Sequence, residues 1–285
     1  MDEILNGWFS EICPMWPGRA LSIKIEETLY CKKSKYQQID VFRTSNCGVM
    51  LVLDGIIQCT EEDEFAYQEM MTHVPMFAHP KPERVLVIGG GDGGILREIA
   101  RHSVAKEIDI CEIDGDVIDV SKKFLPSMAV GFDDPRVKVN IMDGNEFLKN
   151  KQNYYDVIIV DSSDPIGPGE VLFKEPFYVG LKGALRENGI IATQAESVFL
   201  HQDVVQNLMT IAQKLFPVSG YAHMMVPTYP GGNIGMCVAS LGLEIKQSAR
   251  FPDNELQKSL KYYTPEIHKS SFVLPRFAEK FMESI

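Results

Sequence analysis

Asp161 and Asp164 close an apolar run in VIIVDSSDPIGPG (residues 157–169) and lead into a Pro/Gly loop. Two carboxylates at the end of a buried strand can attract a cation and then accept its proton, which is amine chemistry. A second group lies upstream. Gly89-Gly90-Gly91-Asp92-Gly93-Gly94 satisfies G-x-G-x-x-G, and Glu112 follows about 20 residues on, where an acid can bind both ribose hydroxyls. The glycines permit a tight turn and close approach of a ligand to the backbone. Asp143 ends the next apolar run, where it can accept from an adenine amino group. Asp92 would repel a pyrophosphate at the following helix N-terminus, so a dinucleotide is disfavoured. It suits a ligand carrying an ammonium or sulfonium, such as an S-adenosyl compound.

The elements that must hold these residues alternate from residue 84 onward. Strands are expected at 84–90, 107–114, 137–144, 155–163 and 189–196, and helices at 94–102, 116–124, 146–149, 173–187 and 201–215. The 219–241 stretch adds further strands. This βαβα order implies a doubly wound sheet with a right-handed crossover at each step. Ligands bind such sheets beyond the carboxyl ends of the strands, where Asp92, Glu112, Asp143 and Asp161 fall. The first 60 or so residues are β structure instead. Leu21, Ile23 and Ile25 alternate with polar residues, segments 36–43 and 49–53 follow, and Asp54-Gly55 is a hairpin turn. Thr60 is the expected N-cap of a helix whose first turn holds Glu61, Glu62 and Asp63, ending near the His79-Pro80-Lys81-Pro82 breaker. The expected division is an N-terminal β domain over 1–62 and a Rossmann-like catalytic domain over 63–285.

Composition narrows the class of partner. The 285 residues are 45% hydrophobic and 24% charged with a net charge of −11, which suits cationic small molecules and argues against nucleic acid. No apolar run approaches the ~20 residues that span a bilayer. The N-terminus carries no basic region before an apolar one, so no secretion signal is read there. Six scattered cysteines without a CxxC pair or clustered histidines point to reduced thiols in a cytoplasmic protein, with no metal site. His73, His102 and His201 lie in expected helices as structural residues, and the Met-rich 70–76 run is core filling.

Taken together, GGGDGG, CEID, the DG at 143–144, DSSDPIGP, PTYPGGNIG and the terminal LKYY and FVLPRF segments resemble the spermidine synthase family, from the WPG at 16–18 to the C-terminus. The resemblance implies an S-adenosylmethionine-methyltransferase-like sheet behind a small N-terminal β domain. It implies transfer of the aminopropyl group of decarboxylated S-adenosylmethionine to putrescine, giving spermidine and 5'-methylthioadenosine. The donor is a co-substrate, and neither cofactor nor metal is implied. Donor-binding roles fall on Gln37, Gly89, Gly91, Asp92, Glu112, Asp143, Gly144 and Asp161. Acceptor-binding roles fall on Trp16, Tyr67, Gln68, Asp161, Asp164 and Tyr229, with Asp161 as the catalytic base and Tyr67 sharing its proton. A homodimer paired through the N-terminal β region is implied as well.

The chemistry agrees with those assignments. An alkyl ammonium titrates near ~10.4, so putrescine must lose a proton before it can attack carbon. The leaving group is a neutral thioether departing from a sulfonium, which calls for no general acid or oxyanion hole. Gly169, Ala195, Phe199 and Asn233 depart from the family pattern and bear on the acceptor's length. Spermine synthase and an S-adenosylmethionine-dependent methyltransferase are the rival activities, and a catalytically inactive regulatory homologue is the rival of another class.

Overall fold

A computed structural model of the chain describes residues 6–162, 165 and 167–282. The N-terminal part is an antiparallel sheet in simple chain order: β1 (Trp8–Glu11), β2 (Leu21–Lys33), β3 (Gln38–Thr44), β4 (Val49–Leu53) and β5 (Ile56–Thr60). Asp54 and Gly55 both adopt positive φ, 48° and 82°, and close the β4–β5 hairpin as their types require. Side chains alternate across this sheet. Met50 and Val52 pack with Ile23 and Ile57 on one face, while Val49 and Leu51 face Val117, Val120 and Met128 of the larger domain.

Helix α1 (Glu64–Ala78) follows, starting later than the expected Thr60 cap. Thr60 is still paired with Met50 as the last residue of β5, and its hydroxyl donates sideways to Asp63 Oδ1 at 2.9 Å. Beyond α1 come β6 (Arg84–Gly89), α2 (Gly94–Ala100), β7 (Glu107–Glu112), α3 (Gly115–Phe124), α4 (Pro126–Ala129), β8 (Val137–Ile141) and α5 (Gly144–Leu148). Then follow β9 (Tyr155–Asp161), α6 (Glu175–Ala184), β10 (Leu185–Gln194), α7 (Gln202–Leu215), β11 (Val218–Met225) and β12 (Asn233–Ser240).

These seven strands form one sheet in the order β11-β12-β10-β9-β6-β7-β8. Both faces are covered. Val85 and Val87 join the core under α1 and α2, and Leu86 and Ile88 join the opposite core with α6 and α7, which is why the central strands β6 and β9 carry unbroken apolar runs. Strands β6 to β10 are parallel, whereas β12 runs antiparallel to both β10 and β11. The last step of the sheet, within the 219–241 stretch read only as further strands, is therefore not a crossover. The connection over 226–232, with Gly231 and Gly232 at positive φ, is too short for a parallel return and makes a hairpin instead. Chain direction across the sheet switches between β6 and β9, and a cavity opens there. Among the described residues no helix is long and apolar enough to cross a membrane.

Candidate active site

The site begins with a backbone contact that only glycine allows. Gly89 has φ 78°, and a Cβ on it would lie 1.9 Å from the Asp161 carbonyl oxygen. Gly90 N–H donates to that same oxygen at 3.2 Å. The ends of β6 and β9 therefore touch, and the glycine loop and Asp161 share one wall of the cavity. Asp92 is held from two sides: its Oδ1 accepts from Gly94 N at 2.6 Å and its Oδ2 from Gln68 Nε2 at 3.0 Å. Gln68 is buried beneath the loop, against Gly94, and does not border the cavity, unlike its expected place in the acceptor channel.

The next two strand ends supply acceptors. Glu112 ends β7, and its Oε1 takes the Asp114 N–H at 2.8 Å, leaving Oε2 beside Gly91. Asp143 caps α5 through Oδ1, with Asn145 N at 2.7 Å, so its second oxygen is spared. Gly144 borders the cavity beside it, and Gln37 reaches in from the N-terminal sheet.

On the other side, Tyr67 of α1 donates its hydroxyl to Asp161 Oδ1 at 2.7 Å. Tyr229 meets Tyr67 edge-on with centroids 5.8 Å apart, and donates its own hydroxyl to the Gln58 carbonyl at 2.6 Å. Its oxygen keeps lone pairs for a donor in the cavity. Trp16 is buried at the far end, 5.9 Å from the His201 ring. The structure thus gathers Trp16, Gln37, Tyr67, Asp92, Asp161 and Tyr229 around one space. Asp164 lies outside the described residues.

The electrostatics follow from burial. Asp161 is pushed up to about 8, chiefly by desolvation and then by the Asp92 charge, against a hydrogen bond from Tyr67 that lowers it. Burial also raises Asp92, and lifts Glu112 to about 7. Tyr67 is held well above its ordinary range by burial and by Asp161, so it serves as a proton donor in that pair. Burial thus favours the protonated form of Asp161, Asp92 and Glu112, and a cation in the cavity would favour the carboxylates.

The far end contains residues that sequence reasoning passed over or read as structural. Glu196 is buried with a positive φ of 60°, and its Oε1 accepts from Gln194 Nε2 at 3.0 Å. His201 Nδ1 stands 2.8 Å from Glu196 Oε2, at ion-pair distance without hydrogen-bond alignment. Trp16 Nε1, Gln194 Oε1 and His201 Nε2 are buried polar atoms without a partner. Such atoms mark a place for a polar guest or a water. The one signal in the sequence was the pair of polar residues at Gln194 and Glu196 ending an apolar strand. Phe199, by contrast, is exposed, with its ring tilted against Phe277 at a centroid distance of 4.9 Å.

Comparison with known proteins agrees with this geometry. Residues 64–248 match the spermine/spermidine synthase domain and residues 7–61 the spermidine synthase tetramerisation domain. The chain is 51% identical over 280 residues to the spermidine synthase of Dictyostelium discoideum, covering 98% of this chain and 99% of that one. It is 50% identical over 283 residues to that of Schizosaccharomyces pombe, covering 98% and 95%. A crystal structure of spermidine synthase in complex with the transition-state analogue AdoDATO superposes with a TM-score of 0.93 at 39% identity, covering 98% of this chain and 95% of that one.

Proposed function

The chain belongs to the spermine/spermidine synthase family, and from that premise we propose which of its residues carry out the family's reaction. It transfers the aminopropyl group of decarboxylated S-adenosylmethionine to putrescine, forming spermidine and 5'-methylthioadenosine. The observation that carries the assignment of roles is the Tyr67–Asp161–Asp92 arrangement, a half-buried acid pair lining the seam between glycine loop and acceptor pocket.

In this assignment Glu112 and Gln37 take the ribose, and Asp143 and Gly144 the adenine. Asp92, with Asp161, takes the donor's ammonium. Gln68 acts on the donor through Asp92 by holding its carboxylate. Putrescine lies between Tyr67 and Tyr229, with its far ammonium directed at Glu196 and Gln194 under Trp16. Asp164 belongs to the acceptor side. Asp161 accepts the proton from the near ammonium, and the freed nitrogen attacks the donor carbon as the neutral thioether leaves. A positioned base is typically worth ~10²–10⁴-fold, and holding nitrogen, carbon and sulfur in line supplies ~7–11 kcal/mol more.

The protein works as a cytoplasmic oligomer in this proposal, paired as a homodimer through β1–β5, whose match to a tetramerisation domain supports assembly by that sheet. The test is incubation with decarboxylated S-adenosylmethionine and separate diamines and triamines, following 5'-methylthioadenosine. Release with putrescine well above that with spermidine is expected. Methyl transfer from S-adenosylmethionine, or a preference for spermidine, would overturn the reading.

A further inference from the structure

The turn between β2 and β3 crosses to the larger domain at a single carboxylate. Ser34 N–H donates to the Gln37 carbonyl at 2.8 Å, and the Ser34 hydroxyl oxygen accepts from Tyr36 N at 3.0 Å and Gln37 N at 3.1 Å. That hydroxyl donates to Asp114 Oδ2 at 2.6 Å, and Gln37 Nε2 donates to the same oxygen at 3.0 Å. Asp114 is buried, and its Oδ1 caps α3 by accepting from Asp116 N at 3.2 Å. Its own N–H holds Glu112 Oε1.

A carboxylate oxygen accepts and cannot donate, so it decides which end of a neighbouring amide it meets. The Gln37 amide must turn its NH₂ toward Asp114. Its carbonyl oxygen is left for the cavity that Gln37 borders. We infer that Asp114 is a positioning residue for donor binding: by fixing the Gln37 amide and the Glu112 carboxylate together, it presents two acceptors, one from each domain, to the two hydroxyl donors of a ribose. This rests on the proposed reading of Glu112 as the ribose-binding residue.

The chemistry permits a swap test. In Asp114→Asn the carbonyl oxygen stays on the α3 cap, because an NH₂ cannot accept there. The new NH₂ then faces Gln37, whose amide flips and turns a donor toward the ribose, and the Ser34 hydroxyl, which loses its acceptor. In Gln37→Glu two carboxylates confront each other. In the double variant the amide introduced at position 114 donates to one oxygen of the carboxylate introduced at position 37. The other oxygen of that carboxylate again faces the cavity as an acceptor.

Binding of 5'-methylthioadenosine to the full-length protein, measured by titration calorimetry, reads the outcome. Each single variant should weaken binding by about tenfold or more, the usual consequence of a lost or opposed buried hydrogen bond. The double variant should bind at least about threefold better than either single variant and stay short of the parent protein, because the Ser34 hydroxyl still lacks its acceptor at position 114. In steady state, Asp114→Asn should raise the donor's KM with little effect on kcat. A double variant that binds no better than the weaker single would show a merely structural role and overturn the inference. Gln37→Met, which leaves the α3 cap untouched, tests the acceptor even if Asp114 variants fold poorly, and unchanged binding there overturns it too. Glu112→Gln separates the two claims. If it leaves binding unchanged, the ribose reading itself fails; if it weakens binding while the swap is not rescued, only the role of Asp114 fails.

Discussion

In the proposed arrangement Asp161 stands where two cations meet, the ammonium of the donor and that of putrescine. Its pKa lies at about 8, raised by burial and by Asp92, so at neutral pH it holds a proton. A cation in the cavity favours the carboxylate and lowers that pKa. Donor binding at pH 7 should therefore release a proton, seen as a dependence of the binding heat on the buffer's ionisation enthalpy. The release should fade well above pH 8, where the proton is already gone, and shrink in Asp161→Asn; binding without proton release at pH 7 would contradict this account. Asp161→Asn should also lower turnover by ~10²–10⁴-fold while donor affinity changes far less. Near-parental kcat in that variant would remove Asp161 as the base. Asp92, in the same proposal, addresses selectivity. The carboxylate of ordinary S-adenosylmethionine would be buried against Asp92 and Asp161, a costly approach of like charges. Asp92→Asn should narrow the affinity gap between the two sulfonium compounds, and an unchanged ratio of dissociation constants would count against the role.

At the scale of elements, the acceptor side depends on a buried knot that joins β5, α1 and the β11–β12 loop. Asp63 accepts from Thr60 Oγ1 at 2.9 Å, from Thr228 N at 2.7 Å and from Thr228 Oγ1 at 2.8 Å. Tyr229 is the next residue, and its hydroxyl is tied to β5 as well. Thr228→Val keeps the shape and removes one donor from a buried carboxylate, which costs about 1–3 kcal/mol. We expect a lower melting temperature and a putrescine KM raised about tenfold, with the donor's KM within about twofold. Equal effects on both substrates would mean that the knot holds the whole site and not the acceptor loop. This knot also shows where sequence reading stops. The central strands β6 and β9 were legible because burial on both faces writes them as Val/Ile/Leu runs, and the glycine loop because φ and contact distance at Gly89 admit no other residue. The start of α1 was misplaced because Thr60, although an N-cap type, serves β5 and Asp63. The place of β12 beside β10 and the grouping of Gln194, Glu196 and His201 under Trp16 rest on long-range contacts that no local spacing records.

The whole molecule joins two sheets, and the site lies on their seam, so its buried acids weigh on stability as well as on chemistry. Glu11, beneath Ile57, is raised to about 7 by burial, as is Glu112, and Asp161 to about 8. An acid raised in the folded state binds more protons folded than unfolded, between its unfolded pKa of about 4 and its folded value. The stability these acids carry falls as pH rises through that window and levels off above about 8, while His79, His102 and His268, whose pKa values burial lowers, act in the opposite sense below about 6.5. The ligand-free protein should lose at least about 4 °C of melting temperature between about pH 7 and about pH 8.5, above the range in which the histidines titrate, given ~2–4 °C per kcal/mol for a chain approaching this size. Decarboxylated S-adenosylmethionine at saturation should flatten the profile, because its positive charges keep Asp92 and Asp161 ionised at no loss. Glu11→Gln keeps the acceptor for Ile57 N and cannot ionise, so it should remove part of the slope without donor present. A melting temperature that rises across this range, or an identical slope in Glu11→Gln, would show that these carboxylates are not the groups that couple the cavity to the fold.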